Sequence, residues 1–236
     1  MKTLQKFGGI AALICAGTYI LAIGLVATIL TPMLDSALPY DQFMAFYLPH
    51  QSLVFVWHFS MYLVNGTCLA LLALALYQRL QPGAPTLALV AASFGLFWTG
   101  LVFASGFITI YGWETIGRLS STDPSQAALL RLVVYTITTG IDTSDRFLGC
   151  LWVLLTSWAA LRTWQLARPL NYFGLVIGIA GIVSSIAPAL NALGFAFGLG
   201  VIVWWGWLGI VLLRSNPSPV TQKTDAFMSR HSTTNL

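Results

Sequence analysis

Charged residues are scarce in this chain of 236 residues: Asp, Glu, Lys and Arg together make up 8% of it. Soluble domains carry about 25% charged residues, so this chain has too few charges to solvate the surface of a water-soluble globule. Hydrophobic residues make up 57% of the chain. This excludes intrinsic disorder, which requires low hydrophobicity. The composition predicts an integral membrane protein.

Cysteine is scarce as well, and Cys15, Cys68 and Cys150 lie in apolar runs without the spacing of a metal site. The chain contains neither of the zinc motifs H-E-x-x-H and H-x-x-E-H, and no G-x-S-x-G nucleophile elbow. His58 is the only histidine well inside an apolar segment, and His50 lies eight residues earlier on the same segment, so the two cannot ligate one haem iron. We therefore predict no metal, no cofactor and no recognised catalytic motif.

Six apolar segments are long enough to cross a bilayer, which takes about 20 residues. They cover roughly residues 8–31, 51–76, 86–111, 147–166, 170–190 and 193–213. The first segment is too long for the apolar part of a signal peptide, and no small-x-small cleavage site follows it, so we expect it to remain as a helix. The sequence predicts an all-α fold: a multi-pass bundle of six transmembrane helices over residues 1–214, followed by a polar cytoplasmic tail over 215–236.

The long loop between the third and fourth segments has an apolar face of its own over about residues 124–140. Pro124 can begin a helix, and Leu129, Val133 and Ile137 follow at helical spacing beside Arg131. This stretch is too short and too interrupted to span the membrane. It predicts a short helix that lies at the outer interface or re-enters the bundle.

Basic residues are distributed unequally between the two sides of this six-helix arrangement. The side with the termini carries eight Lys and Arg residues against one acidic residue, and the other side carries three Arg residues against six acidic ones. The positive-inside rule then predicts that both termini are cytoplasmic and that the acidic loops lie outside. Because the basic residues lie at helix ends, as topology determinants do, we expect no nucleic-acid partner.

Three polar residues, His58, Tyr62 and Asn65, recur at helical spacing in the second segment. At positions i, i+4 and i+7 they would form one polar stripe along an α-helix. Polar groups inside a membrane are costly and face protein or a cavity. The stripe is either an interhelical hydrogen-bond cluster or the wall of a ligand or proton site. The pocket expected there is small, outward-facing and mostly apolar, with His58 on its wall.

Three charged residues, Asp142, Asp145 and Arg146, stand where the fourth segment begins. Arg146 follows Asp142 by four positions, which allows an ion pair on a helix. Ser144 or Asp145 can also cap a helix N-terminus there. Alternatively, these charges combine with the polar stripe and form a candidate ligand pocket open to the outer side.

Four small residues recur along one face of the fifth segment: Gly174, Gly178, Gly181 and Ser185. A stripe of small residues lets another helix approach closely. Gly194 and Gly198 extend this pattern into the sixth segment. We interpret the small residues as internal helix packing, with homodimerisation as the alternative.

Several segments carry a resemblance to a known family. They are residues 7–13 (FGGIAAL), 74–80 (LALYQRL), 95–106 (GLFWTGLVFASG), 150–162 (CLWVLLTSWAALR), 170–183 (LNYFGLVIGIAGIV) and 198–215 (GLGVIVWWGWLGIVLLRS). Together they resemble a bacterial family of integral membrane proteins known only as a domain of unknown function. The resemblance implies a six-helix protein of the bacterial inner (plasma) membrane. It implies no activity, substrate or catalytic residue.

Three classes of function agree with these observations. The sequence favours a membrane protein that is not an enzyme, either a small-ligand or lipid-binding protein or an accessory subunit of a membrane assembly. The first alternative is a small-solute transporter or channel, and the second is an intramembrane enzyme that uses His58. The expected partners are membrane lipids, and in addition other membrane subunits or a second copy of the chain.

Overall fold

The computed structural model describes residues 2–35 and 38–214, and these residues are helical without a strand. The α-helices are α1 Lys2–Thr28, α2 Thr31–Leu34, α3 Tyr40–His58, α4 Asn65–Leu80, α5 Pro85–Leu119, α6 Pro124–Thr163, α7 Arg168–Ile186 and α8 Asn191–Arg214. A π-helical turn, Phe59–Val64, joins α3 to α4, and a 3₁₀ turn, Pro188–Leu190, precedes α8. The all-α fold is confirmed. The tail predicted over 215–236 lies outside the described residues.

Five of the helical segments in the described ranges are long and apolar enough to cross a membrane. They are Thr3–Thr28, Tyr40–Leu80, Pro85–Leu119, Arg168–Ile186 and Ala192–Arg214. The helix α6 is not among them, and its middle carries Asp142, Asp145 and Arg146. The chain is thus a helical membrane protein, and a sixth crossing by α6 stays a prediction.

Six long helical segments form a closed ring. Around the ring, α1 packs on α4, α4 on α5, α5 on α6, α6 on α7, α7 on α8, and α8 again on α1. The start of α1 lies beside the end of α8, where Nε2 of Gln5 donates a hydrogen bond of 2.8 Å to the carbonyl oxygen of Leu212. We call this side of the ring the terminal end and the opposite side the cap end.

The interior of the ring is filled by tryptophan side chains. Trp98 of α5 lies 5.6 Å from Trp152 of α6 and 5.9 Å from Trp205 of α8, measured between ring centroids. Trp152 also meets Trp204 edge to face at 5.6 Å. Each of these four side chains is at most 3% exposed. Aromatic rings packed in this way fix the helices laterally and occupy the centre of the bundle.

Three segments extend well beyond the ring at the cap end. The helix α5 has 35 residues and is therefore about 52 Å long, whereas the hydrocarbon core of a bilayer is about 30 Å thick. The protruding parts of α3, α5 and α6 pack around a second core that includes Phe43, Tyr47, Ile116 and Val134. We call this part of the protein the cap. The guanidinium carbon of Arg131 lies 4.0 Å from the centroid of the Phe43 ring and so covers this second core.

The separate interfacial helix predicted over about 124–140 is instead the first half of α6, which continues unbroken from Pro124–Thr163. Its N-terminus is capped by Asp123, whose carboxylate accepts hydrogen bonds from the backbone N–H of Gln126 at 3.0 Å and from the hydroxyl of Ser125 at 2.6 Å. These bonds favour the charged form and lower the pKa of Asp123. The charged residues of α6 therefore divide its apolar sequence into two stretches, but the helix itself continues through them.

Candidate functional site

A chamber lined by both charged and aromatic side chains lies inside the ring at the cap end. Its volume is about 210 Å³. The floor is Trp98, which belongs to the tryptophan cluster below. The walls carry Tyr19 of α1, Tyr62 of the π-helical turn, the small residues at the start of α8, and three charged residues of α6. The chamber therefore collects polar groups from elements that are far apart in the sequence.

The two carboxylates of the chamber are held by neighbouring helices. Ser105 of α5 donates a hydrogen bond of 2.6 Å to Oδ1 of Asp142, and the hydroxyl of Tyr62 also lies within reach of this carboxylate. The side chain of Trp98 approaches Asp145 in the same way. Each carboxylate is thus oriented by a donor and keeps acceptor capacity toward the cavity.

Arg146 projects into the same chamber without a direct partner. In the described part of the chain, no ion pair or hydrogen bond joins its guanidinium to Asp142, Asp145 or another group, although its charge acts on both carboxylates. The ion pair predicted between Asp142 and Arg146 is therefore not formed at contact distance, although the opposite charges of the two side chains attract each other. The helix cap predicted at Ser144 or Asp145 is wrong, because α6 is continuous through these positions.

A second cavity, about 360 Å³ in volume, opens from the chamber to the outside of the ring between α1 and α8. It shares Tyr19, Arg146, Gly194 and Gly198 with the chamber. Its outer walls are apolar and exposed, with Ile23, Phe195 and Leu199 each at least 46% exposed. We call this cavity the lateral groove. The lateral groove thus opens between α1 and α8, two apolar helices that are long enough to cross a membrane.

Glycines explain why α1 and α8 touch at one end and leave a groove at the other. At the terminal end, a Cβ atom on Gly209 would lie 2.9 Å from the carbonyl oxygen of Gly9, so the two backbones are in contact. At the wall of the groove, Tyr19 meets Trp205 edge to face at 5.3 Å. Farther toward the cap, a Cβ atom on Gly198 would have no atom within 4 Å. We had predicted that Gly198 packs against another helix. It lines open space instead.

The π-helical turn brings Tyr62 to the chamber. Hydrogen bonds in a π-helix run from i to i+5, so the backbone turns less per residue than in an α-helix, and such turns are frequent at functional sites. Tyr62 packs against Gly106 of α5, where a side chain would collide with the tyrosine. The turn and this glycine together determine where the phenol ring lies.

The π-helical turn also divides the predicted polar stripe. His58 and Tyr62 remain stacked, with ring centroids 6.0 Å apart, but Asn65 faces α1. There its side-chain amide donates to Oγ1 of Thr18 at 2.9 Å and to the carbonyl oxygen of Cys15 at 3.4 Å. Asn65 is 1% exposed and lines neither the chamber nor the lateral groove. The single stripe through all three residues is therefore not present.

His58 lines a different cavity, a groove of about 410 Å³ between α3 and α5. Its Nδ1 atom lies 2.8 Å from the carbonyl oxygen of Val54, so one ring nitrogen is already used within the helix. Gln51, Ser52 and Glu114 stand on the wall of the same groove beside apolar residues. The pocket expected around His58 exists, and its walls are mostly apolar as predicted, but it is larger than expected. It also lacks the three charged residues of α6.

The small-residue face of α7 packs within the chain. A Cβ atom on Gly178 would lie 2.9 Å from Cβ of Leu154 and 3.1 Å from the carbonyl oxygen of Cys150. Gly174 contacts Ser157 of α6, and Gly181 contacts Cys150 and α8. The hydroxyl of Ser185 donates to the carbonyl oxygen of Gly181 at 2.9 Å. The three glycines are thus covered by α6 and α8.

Sequence reasoning missed five residues of the chamber lining, Tyr19, Met61, Trp98, Phe197 and Val201. It also missed Ser105, which does not line the chamber but donates a hydrogen bond to Asp142. Tyr19 and Ser105 are polar groups in otherwise apolar helices, which was a signal that they face protein. The other four residues carried no such signal. For metal chemistry, the described residues contain no group of three or more His, Cys, Asp or Glu side chains that could hold an ion.

One comparison with known proteins gives a match. The family described as Domain of unknown function (DUF4386) matches residues 7–211, which is most of the chain. No curated protein and no solved structure matches. The family match confirms the resemblance that the sequence motifs indicated, and it brings no activity with it.

Proposed function

We propose that this chain, which belongs to the DUF4386 family, is a multi-pass protein of the bacterial inner (plasma) membrane that binds a membrane lipid. The lipid places its apolar part in the lateral groove and its polar head in the chamber. One observation carries this proposal: Arg146 lines both cavities at their junction. A molecule that enters from the membrane would meet this guanidinium on its way into the ring.

The shape and the polarity of the two cavities suit an amphiphile. Ligand pockets for drug-sized molecules measure about 300–1,000 Å³. The chamber of about 210 Å³ is too small for such a ligand, but chamber and groove together fall within this range. The polar end lies inside the ring and the apolar end opens between two helices. This order matches a lipid that enters sideways from the bilayer.

The distribution of charge supports an orientation in which both termini are cytoplasmic. Arg79, Arg162, Arg168 and Arg214 all stand at the terminal end, whereas Asp142 and Asp145 stand at the cap end. The positive-inside rule places the arginine-rich end in the cytoplasm. In this orientation the lateral groove opens into the outer leaflet of the membrane.

The transporter and enzyme alternatives receive less support from the geometry. Between the chamber and the terminal end, Trp98, Trp152, Trp204 and Trp205 fill the interior of the ring, so the chamber ends at an aromatic floor. His58 lies in another groove and is separated from Asp142 and Asp145. An accessory-subunit or homodimer role could not use the glycine face of α7, because α6 and α8 already cover it.

The proposal can be tested by filling the junction of the two cavities. Gly198 has open space where a side chain would go, so Gly198→Leu fills the junction without displacing a neighbour. Gly100 of α5 is the matched control, because it is an exposed helical glycine with no atom within 4 Å of its Cβ position. We expect Gly198→Leu to remove the lipid that copurifies with the wild-type protein, as measured by native mass spectrometry. Gly100→Leu keeps it. Equal lipid retention by the two variants would overturn the proposal.

A further inference from the structure

We propose that the chamber selects a phospholipid headgroup that carries both a phosphate and a primary ammonium, as phosphoethanolamine does. This inference rests on the proposed lipid-binding function and deepens it. It follows from three features of the site: the charges that line it, the order in which a ligand meets them, and the hydrogen-bonding groups beside them.

The charges of the site are mixed. Asp142, Asp145 and Arg146 are the only charged side chains among the described residues that line the chamber or the lateral groove. A headgroup with only a negative charge would satisfy Arg146 but would face two carboxylates. A headgroup with only a positive charge would offer no anion to Arg146 and would compete with it for the two carboxylates. A zwitterion offers a partner of opposite charge to both, and like charges brought together are costly away from water.

The order of the charges matches the order of the groups in a phospholipid. Arg146 lines both cavities, whereas Asp142 and Asp145 line the chamber alone. A lipid that enters from the groove therefore brings its phosphate to the guanidinium first. The part of the headgroup beyond the phosphate then reaches the carboxylates. Guanidinium groups bind phosphate through paired hydrogen bonds, and an amine beyond the phosphate lies at the depth of the two aspartates.

The groups around the carboxylates favour a primary ammonium over a quaternary one. A primary ammonium has three N–H donors, and each aspartate keeps acceptor capacity because Ser105 and Trp98 occupy only part of it. A quaternary ammonium can pack against the aromatic rings of Tyr19, Tyr62 and Trp98 in the chamber, but it has no N–H to donate. Both carboxylates would then remain without a donor from the ligand. The chamber should therefore distinguish phosphoethanolamine from phosphocholine.

The test compares lipids that share their acyl chains and differ in the headgroup. Apparent Kd values are measured by native mass spectrometry on the full-length protein in detergent, with phosphatidylethanolamine, phosphatidylglycerol, phosphatidylcholine and N-acetylated phosphatidylethanolamine. We expect phosphatidylethanolamine to bind about tenfold more tightly than each of the other three. The Asp142→Asn/Asp145→Asn double variant should remove this preference. Arg146→Gln should weaken binding of all four lipids.

Two further variants separate a failure of this inference from a failure of the proposed function. If Gly198→Leu weakens binding of all lipids relative to Gly100→Leu but the wild type shows no headgroup preference, the lipid site stands and the headgroup inference is wrong. If Gly198→Leu leaves binding unchanged, the site and the inference are both wrong. If N-acetylation leaves the affinity of phosphatidylethanolamine unchanged, the ammonium has no role and the inference is wrong.

Discussion

The hydroxyl of Ser105 donates a hydrogen bond of 2.6 Å to Oδ1 of Asp142, which joins α5 to α6 at the level of the chamber. Ser105 is fully buried, so its hydroxyl has no water to bond instead. Hydrogen bonds between membrane helices contribute about 0.6–2 kcal/mol. The same contact holds one carboxylate oxygen of Asp142 in place at the wall of the chamber.

This contact gives the first prediction. Ser105→Ala should lower the free energy of unfolding in detergent by about 1–2 kcal/mol, because Asp142 loses its donor. The control is Ser93→Ala on the same helix. Ser93 is exposed and its hydroxyl bonds only to the carbonyl oxygen of Leu89 at 3.0 Å, so we expect no measurable change. Equal stability of both variants would show that the bond between α5 and α6 is not formed.

The close packing of α7 gives the second prediction. Gly178→Leu or Gly181→Leu should destabilise the protein by about 1–3 kcal/mol or prevent folding, since a side chain there collides with α6 and α8. Thermal unfolding in detergent measures the effect. Gly100→Leu is again the control, because its side chain would point into open space. Unchanged melting temperatures for both α7 variants would mean that this face meets lipid.

The amide of Asn65 provides a third prediction. If it holds α1 and α4 together through Thr18, a double-mutant cycle with Asn65→Leu and Thr18→Val should give a coupling energy of about 0.5–2 kcal/mol in unfolding experiments. Lipid affinity of the Asn65→Leu variant should stay within twofold of the wild type once folding is corrected for. Additive single effects would contradict the contact, and a selective loss of lipid binding would return Asn65 to the site.

The position of His58 in its own groove gives the fourth prediction. His58→Gln keeps a side chain that can donate to the carbonyl oxygen of Val54, as Nδ1 of the histidine does, and it lies outside the chamber. We therefore expect its lipid affinity to remain within twofold of the wild type, whereas Arg146→Gln weakens binding about tenfold or more. A loss in His58→Gln as large as in Arg146→Gln would place the histidine in the binding site after all.

The topology gives the fifth prediction. Reporter fusions after Gln81, Ser121, Gln165 and Arg214 lie in turns or at the end of the described helices. They should report cytoplasm, outside, cytoplasm and cytoplasm, respectively, if all six ring segments cross the membrane. The fusion after Gln165 is decisive for α6. An outside signal at Gln165 and at Arg214 would show that α6 does not cross.

Local properties of the sequence were sufficient for the class of the fold. Apolar runs separated by turn residues, such as those at 81–85, predict membrane helices in any fold. The reason is that backbone N–H and C=O groups in lipid must bond to each other, and a helix satisfies them within its own segment. Once the order of the helices is known, the side of the membrane on which each Lys and Arg lies follows as well. The charged residues Asp142, Asp145 and Arg146 could be singled out for the same reason, since charges near lipid need a protein partner.

The make-up of the site depended on tertiary structure. Tyr19, Trp98 and Ser105 come from α1 and α5, and only the closed ring brings them to the charges of α6. The π-helical turn was equally absent from the sequence prediction, because the apolar pattern of residues 59–64 does not distinguish i to i+5 from i to i+4 hydrogen bonds. That turn separates Asn65 from Tyr62, which helical spacing had placed on one face.

The sequence alone thus determined that the chain is helical, that it is a membrane protein, and which residues are too polar to face lipid. The tertiary structure decided which of them share a cavity. The reason is physical: hydropathy and charge act on each segment independently through the solvent. A cavity exists only where helices that touch at one level, as α1 and α8 do at Gly9 and Gly209, leave space at another level beside Gly198.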